Sequence, residues 1–157
     1  MIDMQKWQEI AKANIHNRPA TTGRLAGKIA IVTGSAQGFG KGIAEEMYKE
    51  GASIVIADLN EELAASVAAE MGERAVCVKV NVSDEESVAS LLQQTVEHFG
   101  GLDIFVSNAG VVRSGALDQL EKKDFDFVTS INYTAYFLCA KYAAAIMKAE
   151  HEADPEW

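Results

Sequence analysis

The chain has 157 residues, enough for one domain with a buried core, and 48% of them are hydrophobic, which excludes a disordered chain. A formal net charge of −9 argues against nucleic acid as a partner. No apolar stretch is long and uncharged enough to span a bilayer, so no membrane partner is expected, and Asp3, Lys6 and Glu9 interrupt any signal-peptide core.

Residues 1–26 stand apart. Met4, Trp7, Ile10 and Ala11 can line one face of a short helix, which Pro19 must end, and Arg18 to Gly27 reads as a linker. This segment is a tail, a docking helix, or the end of a preceding domain. From Lys28 the chain alternates strand and helix. Strand one is predicted at Ile29 to Thr33, followed by a helix from Phe39 to Glu50. Strand two is Ser53 to Ala57. The next helix starts near Asn60, a good N-cap, and buries Leu63, Ala64, Val67 and Met71 before Gly72 stops it. Strand three, Ala75 to Val80, carries Lys79, which suits a sheet edge. Ser83-Asp84-Glu85-Glu86 reads as a capping box opening a helix that buries Val88, Leu91, Leu92, Val96 and Phe99, with Gly100-Gly101 at its end. Strand four is Leu102 to Ser107, and a last helix runs from Lys122 to Ala149.

Parallel strands joined by helices give an α/β fold, a Rossmann-like doubly wound sheet with strand order 3-2-1-4. Its ligand crevice lies between strands one and four, where the winding direction reverses. Gly34, Gly38 and Gly40 fall in the loop between strand one and its helix. Gly34 can make the turn out of the strand, Gly38 lets backbone approach a pyrophosphate, and Gly40 lets the helix start sit against the strand. Asp58 ends strand two, where a carboxylate can accept both hydroxyls of an adenosine ribose; the other role open to it is a helix N-cap or turn.

Thr33-Gly34-Ser35-Ala36-Gln37-Gly38-Phe39-Gly40 resembles the Thr-Gly-x-x-x-Gly-x-Gly signature of the short-chain dehydrogenase/reductase family, in the spacing of its compact branch. The resemblance covers Lys28 to about Lys148. It implies a cofactor site made by Gly34, Ser35, Gln37, Gly38, Phe39 and Gly40 on the loop, with Asp58 and Leu59 after strand two. It extends the site to Asn81 and Val82 after strand three, and to Asn108, Ala109 and Gly110 after strand four. Ser107-Asn108-Ala109-Gly110 resembles the family's Asn-Asn-Ala-Gly turn, which stabilises the central sheet and lines the cofactor. Asn81 stands where the family's Asp commonly contacts adenine; an amide can still bond the base, or serve only as a turn residue before Ser83. Asn132 falls on the asparagine of the family's catalytic Asn-Ser-Tyr-Lys set, which holds a water; the alternative is a structural amide bonded to backbone. The implied cofactor is NAD rather than NADP, because the Asp58 carboxylate would repel a 2′-phosphate and no basic residue follows it.

The family's Tyr-x-x-x-Lys does not occur: Tyr48, Tyr133, Tyr136 and Tyr142 are followed four residues on by Ala52, Phe137, Ala140 and Ile146. The expectation is therefore that residues 27–157 form an incomplete NAD-binding Rossmann domain, truncated before the fifth strand, inactive alone. The parent protein would be an oxidoreductase acting on a small-molecule carbonyl or secondary alcohol. Tyr136 to Lys141 resembles relatives that act on sugar alcohols and their phosphates. A non-catalytic nucleotide-binding module, or a structural domain of a larger multifunctional chain, is the alternative. The last helix is apolar nearly all round, so a homo-oligomer through it is expected. Cys77 and Cys139 read as free buried thiols in a reducing, cytoplasmic compartment. His16, His98 and His151 are scattered, so no metal site is expected.

Overall fold

In the computed structural model, which describes residues 3–157, one four-stranded sheet carries helices on both faces. The elements in chain order are α1 (Met4–Asn14), β1 (Ile29–Thr33), α2 (Gly38–Lys49), β2 (Ser53–Asp58), α3 (Glu61–Met71), β3 (Ala75–Lys79), α4 (Glu85–Phe99), β4 (Ile104–Val106), α5 (Lys122–Thr129) and α6 (Ala135–Ala153), with a π-helical turn (Ser130–Thr134) joining the last two. All pairs are parallel and the order is β3-β2-β1-β4, the arrangement expected. β1 and β2 are central and buried on both faces, hence their unbroken apolar runs. Ile31, Val55 and Ala57 face a core shared with α1, α4 and α6; Ala30, Val32, Ile54 and Ile56 face one shared with α2 and α3. Among the described residues no helix is long and apolar enough to cross a membrane.

Four details differ from the sequence expectation, each for a local reason. Leu63 is 37% exposed, because the buried stripe of α3 runs through Ala64, Val67 and Ala68 instead. Asp84, not Ser83, caps α4 by accepting from the Ser87 amide at 2.9 Å; the Ser83 hydroxyl is already spent on Asn81. β4 is paired only over Ile104–Val106, shorter at both ends than expected. The last helix is not continuous: the π-helical turn interrupts it at Ser130–Thr134.

The N-terminal segment is packed against the sheet's helices; Met1 and Ile2 lie outside the described residues. Asp3 caps α1 by accepting from the Lys6 amide, and Trp7 and Ala11 are buried against α4 and α6. The helix ends at Asn14, five residues before Pro19. The linker after it is hydrogen-bonded along its length: Thr21 Oγ1 donates to Gly51 O and Leu25 N to Glu50 O. Arg18 runs inward to a buried ion pair with Glu150 on α6, and Glu150 also accepts from the Leu102 amide at 3.1 Å.

Candidate functional site

The carboxyl ends of the strands open onto a cleft of about 420 Å³, with the β1–α2 loop on one lip and the turn after β4 on the other. Gly34, Gln37, Gly38, Phe39 and Gly40 line it from the loop, and Asn108, Ala109 and Gly110 from the turn. Gln37 occupies the N-cap position of α2 but makes no side-chain cap. Among the described residues no acceptor engages the backbone amides of Gln37, Gly38, Phe39 or Gly40. These are the donors that a helix start leaves over, and the helix dipole adds positive potential at the same place. Gly38 has φ +58° and nothing within 4 Å of where a Cβ would stand, so its side of the loop is open to the cleft. Gly40 is required for the opposite reason: a Cβ there would lie 2.2 Å from the Gly34 carbonyl oxygen.

Ser35 is the one loop residue of the expected set that does not line the cleft. It is fully buried; its hydroxyl donates to Val32 O at 2.6 Å and accepts from the Ala57 amide at 3.1 Å, tying the loop to β1 and β2. Asp58 does line the cleft. Its Oδ2 accepts from the Ala36 amide and its Oδ1 from the Asn60 amide, both at 3.0 Å. Each oxygen keeps a lone pair for a further donor. The cap of α3 belongs to Asn60, which accepts from Leu63 N at 3.1 Å, so Asp58 is not the N-cap. Leu59 beside it is 66% exposed and Phe39 across the loop is 90% exposed. Two apolar side chains thus stand bare on the cleft wall.

Asn81 lines the cleft next to Val80 and Val82 and is exposed. Its side-chain oxygen accepts from both the amide and the hydroxyl of Ser83, at 3.2 and 2.8 Å, so it is a turn residue and a cleft residue at once. Asn108 stitches the two lips together. Its Nδ2 donates to Thr33 O at 2.9 Å and Gly34 O at 3.2 Å, and the Thr33 hydroxyl accepts from the amides of Asn108 and Ala109. Asn132 sits in the π-helical turn. Its amide clamps Val111 from both sides, accepting from Val111 N and donating to Val111 O, each at 2.8 Å. Sequence reasoning missed Val80, Val111 and Ile131, which also line the cleft. Each is a direct chain neighbour of a residue it did find, and that adjacency was the available signal.

The site therefore presents unclaimed backbone donors under a helix dipole, and a carboxylate one strand over with free lone pairs. The amide donors fit a diphosphate, and the carboxylate acceptor fits the vicinal hydroxyls of an attached sugar.

A family model described as short chain dehydrogenase matches residues 28–154. The chain is 39% identical over 128 residues to a tropinone reductase-like protein of Erythroxylum coca, covering 79% of this chain and 47% of that one. It is 44% identical over 128 residues to a (+)-cis,cis-nepetalactol synthase of Nepeta racemosa, with 79% and 47% covered. A crystal structure of a 3-ketoacyl-(acyl-carrier-protein) reductase from Brucella melitensis complexed with NADH superposes with a TM-score of 0.80 at 32% identity, covering 83% of this chain and 54% of that one. The chain spans about half the length of the curated relatives it matches.

Proposed function

The chain belongs to the short-chain dehydrogenase family, and from that premise we propose that it supplies the dinucleotide-binding half of an NAD-dependent oxidoreductase acting on a carbonyl or secondary alcohol. The observation that carries this reading is the set of unclaimed amides at Gln37 to Gly40 opening onto the same cleft as the Asp58 carboxylate. The names of two relatives, both reductases, and the NADH held by one of them support the reaction class and the nicotinamide.

When bound, the nicotinamide would supply or accept the hydride. The work of this chain's residues is to hold and orient. The amides of Gly38, Phe39 and Gly40 would take the diphosphate. Asp58 would accept the adenosine ribose hydroxyls, held for that purpose by the Ala36 and Asn60 amides. Its charge opposes a 2′-phosphate, which favours NAD over NADP. Leu59, Val80 and Val82 offer apolar surface to a base. Asn108, Ala109 and Gly110 would form the far wall. Asn132 belongs in the catalytic set by its place in the family's pattern; its contribution here is to fix the Val111 backbone at the cleft's edge. The finer substrate reading is a sugar alcohol or its phosphate, tested by assaying sorbitol-type substrates with the longer protein. Association of copies through the exposed aromatic residues of α5 and α6 completes the proposal.

The test is calorimetric titration of NAD and NADP into this chain and into Asp58→Ser. NAD is expected to bind the parent chain more tightly, and the substitution to narrow or reverse the preference. Equal affinity for both cofactors in the parent chain would contradict the role given to Asp58.

A further inference from the structure

The bond that holds the Asp58 carboxylate also holds the loop. The Ala36 amide donates to Asp58 Oδ2 at 3.0 Å, and Ala36 itself is only 2% exposed. Among the described residues that N–H has no other acceptor. It is the last bonded amide before the four unclaimed ones at Gln37 to Gly40. One residue earlier, the buried Ser35 hydroxyl accepts from the Ala57 amide at 3.1 Å. Consecutive loop residues, Ser35 and Ala36, are thus fastened to consecutive residues of β2, Ala57 and Asp58. An exposed amide that loses its acceptor turns to water at little cost. A buried one is hydrated only if the backbone moves, so without the Asp58 acceptor the loop must lift off β2 at Ala36. The backbone that lifts leads directly into the diphosphate donors.

We infer that Asp58 is a positioning residue for the diphosphate loop as well as an acceptor for the ribose: it sets the amides of Gln37 to Gly40 in place whether or not a sugar is present. This rests on the dinucleotide reading above. The consequence runs against plain electrostatics. A carboxylate near an anion site repels the anion, so removing its charge should tighten the binding of a bare anion. Removing the acceptor that fastens the loop should loosen it. Asparagine and alanine at this position separate the two effects, because both lack the charge and only asparagine keeps an oxygen for the Ala36 amide. Asn60, whose amide meets the other carboxylate oxygen, is exposed, so that amide can turn to water in either variant.

The experiment titrates inorganic pyrophosphate, which carries no ribose, into isotopically labelled parent chain, Asp58→Asn and Asp58→Ala, following the amide resonances of Gln37 to Gly40. Asp58→Asn is expected to bind pyrophosphate about tenfold more tightly than Asp58→Ala. Equal affinities in the two variants, or tighter binding by Asp58→Ala, overturn the inference while leaving the dinucleotide site standing. Pyrophosphate that moves none of those amides in the parent chain or in Asp58→Asn overturns the diphosphate reading, and this inference with it. Hydrogen exchange in the unliganded parent chain gives a second reading that needs no variant. The Ala36 amide is expected to exchange about a hundredfold more slowly than those of the exposed Gln37, Gly38 and Phe39. Exchange at Ala36 as fast as at those three overturns the inference.

Discussion

Gly38 stands at positive φ with open space on the cleft side, so a side chain there does two things. It strains the backbone by about 1–2 kcal/mol and it fills the approach to the free amides. Gly38→Val is expected to leave the chain folded and to weaken NAD binding by about tenfold to a hundredfold, the worth of about one hydrogen bond to a charged group. Titration beside the parent chain, with circular dichroism as the folding check, measures it. Cys139 offers a second residue-level test. Burial pushes its thiol up to about 11, and the side chain is 1% exposed. It should resist a disulfide reagent at pH 8 until denaturant is added, and rapid native labelling at Cys139 would show the packing of α6 to be looser than described. At this scale the sequence was informative where a residue type has few uses. A glycine triplet in a strand-to-helix loop, followed by Asp at the end of the next strand, has few alternatives. It was less informative for polar residues with several: Ser35 lies in the motif yet faces the core, and Asn132 bonds to backbone 21 residues away. Nothing local in the chain announces a partner at that distance.

The elements repeat the pattern. Strand cores and helix stops were legible because hydrophobic period and glycine placement act locally: β1 and the Asn60 cap stand where expected. The π-helical turn was not legible, since every residue from Lys122 to Ala149 is compatible with plain helix and tertiary contacts select the irregular turn. Nor did the sequence settle the fate of the N-terminal segment, because an amphipathic helix does not name what it docks on. The structure gives α1 a place on α4 and α6, with Trp7 2% exposed. Trp7→Ala is expected to destabilise the chain by about 3–5 kcal/mol, read from urea unfolding. The buried Arg18–Glu150 pair adds a pH dependence. Burial raises the Glu150 carboxyl to about 7, against the pull of Arg18. A carboxyl raised above its unfolded value binds protons more readily in the folded chain. Its contribution to stability is thus complete below the usual carboxylate range and is lost as pH rises through about 7. The urea midpoint is expected to fall between about pH 5 and 8, and Glu150→Gln to flatten that slope. An unchanged slope in the variant would assign the dependence to another group.

At the scale of the molecule, the sheet order followed from the alternation of strands and helices, and with it the position of the cleft. Away from the cleft, Phe125, Tyr133, Tyr136 and Phe137 on α5, the π-helical turn and α6 are each more than half exposed. These exposed apolar side chains are the ones the proposed contact between copies would cover. Sedimentation of the parent chain should show self-association that Tyr136→Glu with Phe137→Glu abolishes; a monomeric parent chain would remove the proposed homo-oligomer. The chain should also bind NAD without oxidising alcohols, since no Tyr-x-x-x-Lys stands among its residues.

The central claim is that the backbone donors at the start of α2 exist to hold a diphosphate. Titrating NAD into isotopically labelled chain and following the amide resonances by NMR tests it most directly. The largest shifts should fall on Gln37, Gly38, Phe39 and Gly40, with smaller ones at Asp58 and Asn81. Saturable binding that leaves those four amides unmoved, or no binding at all, would contradict the account.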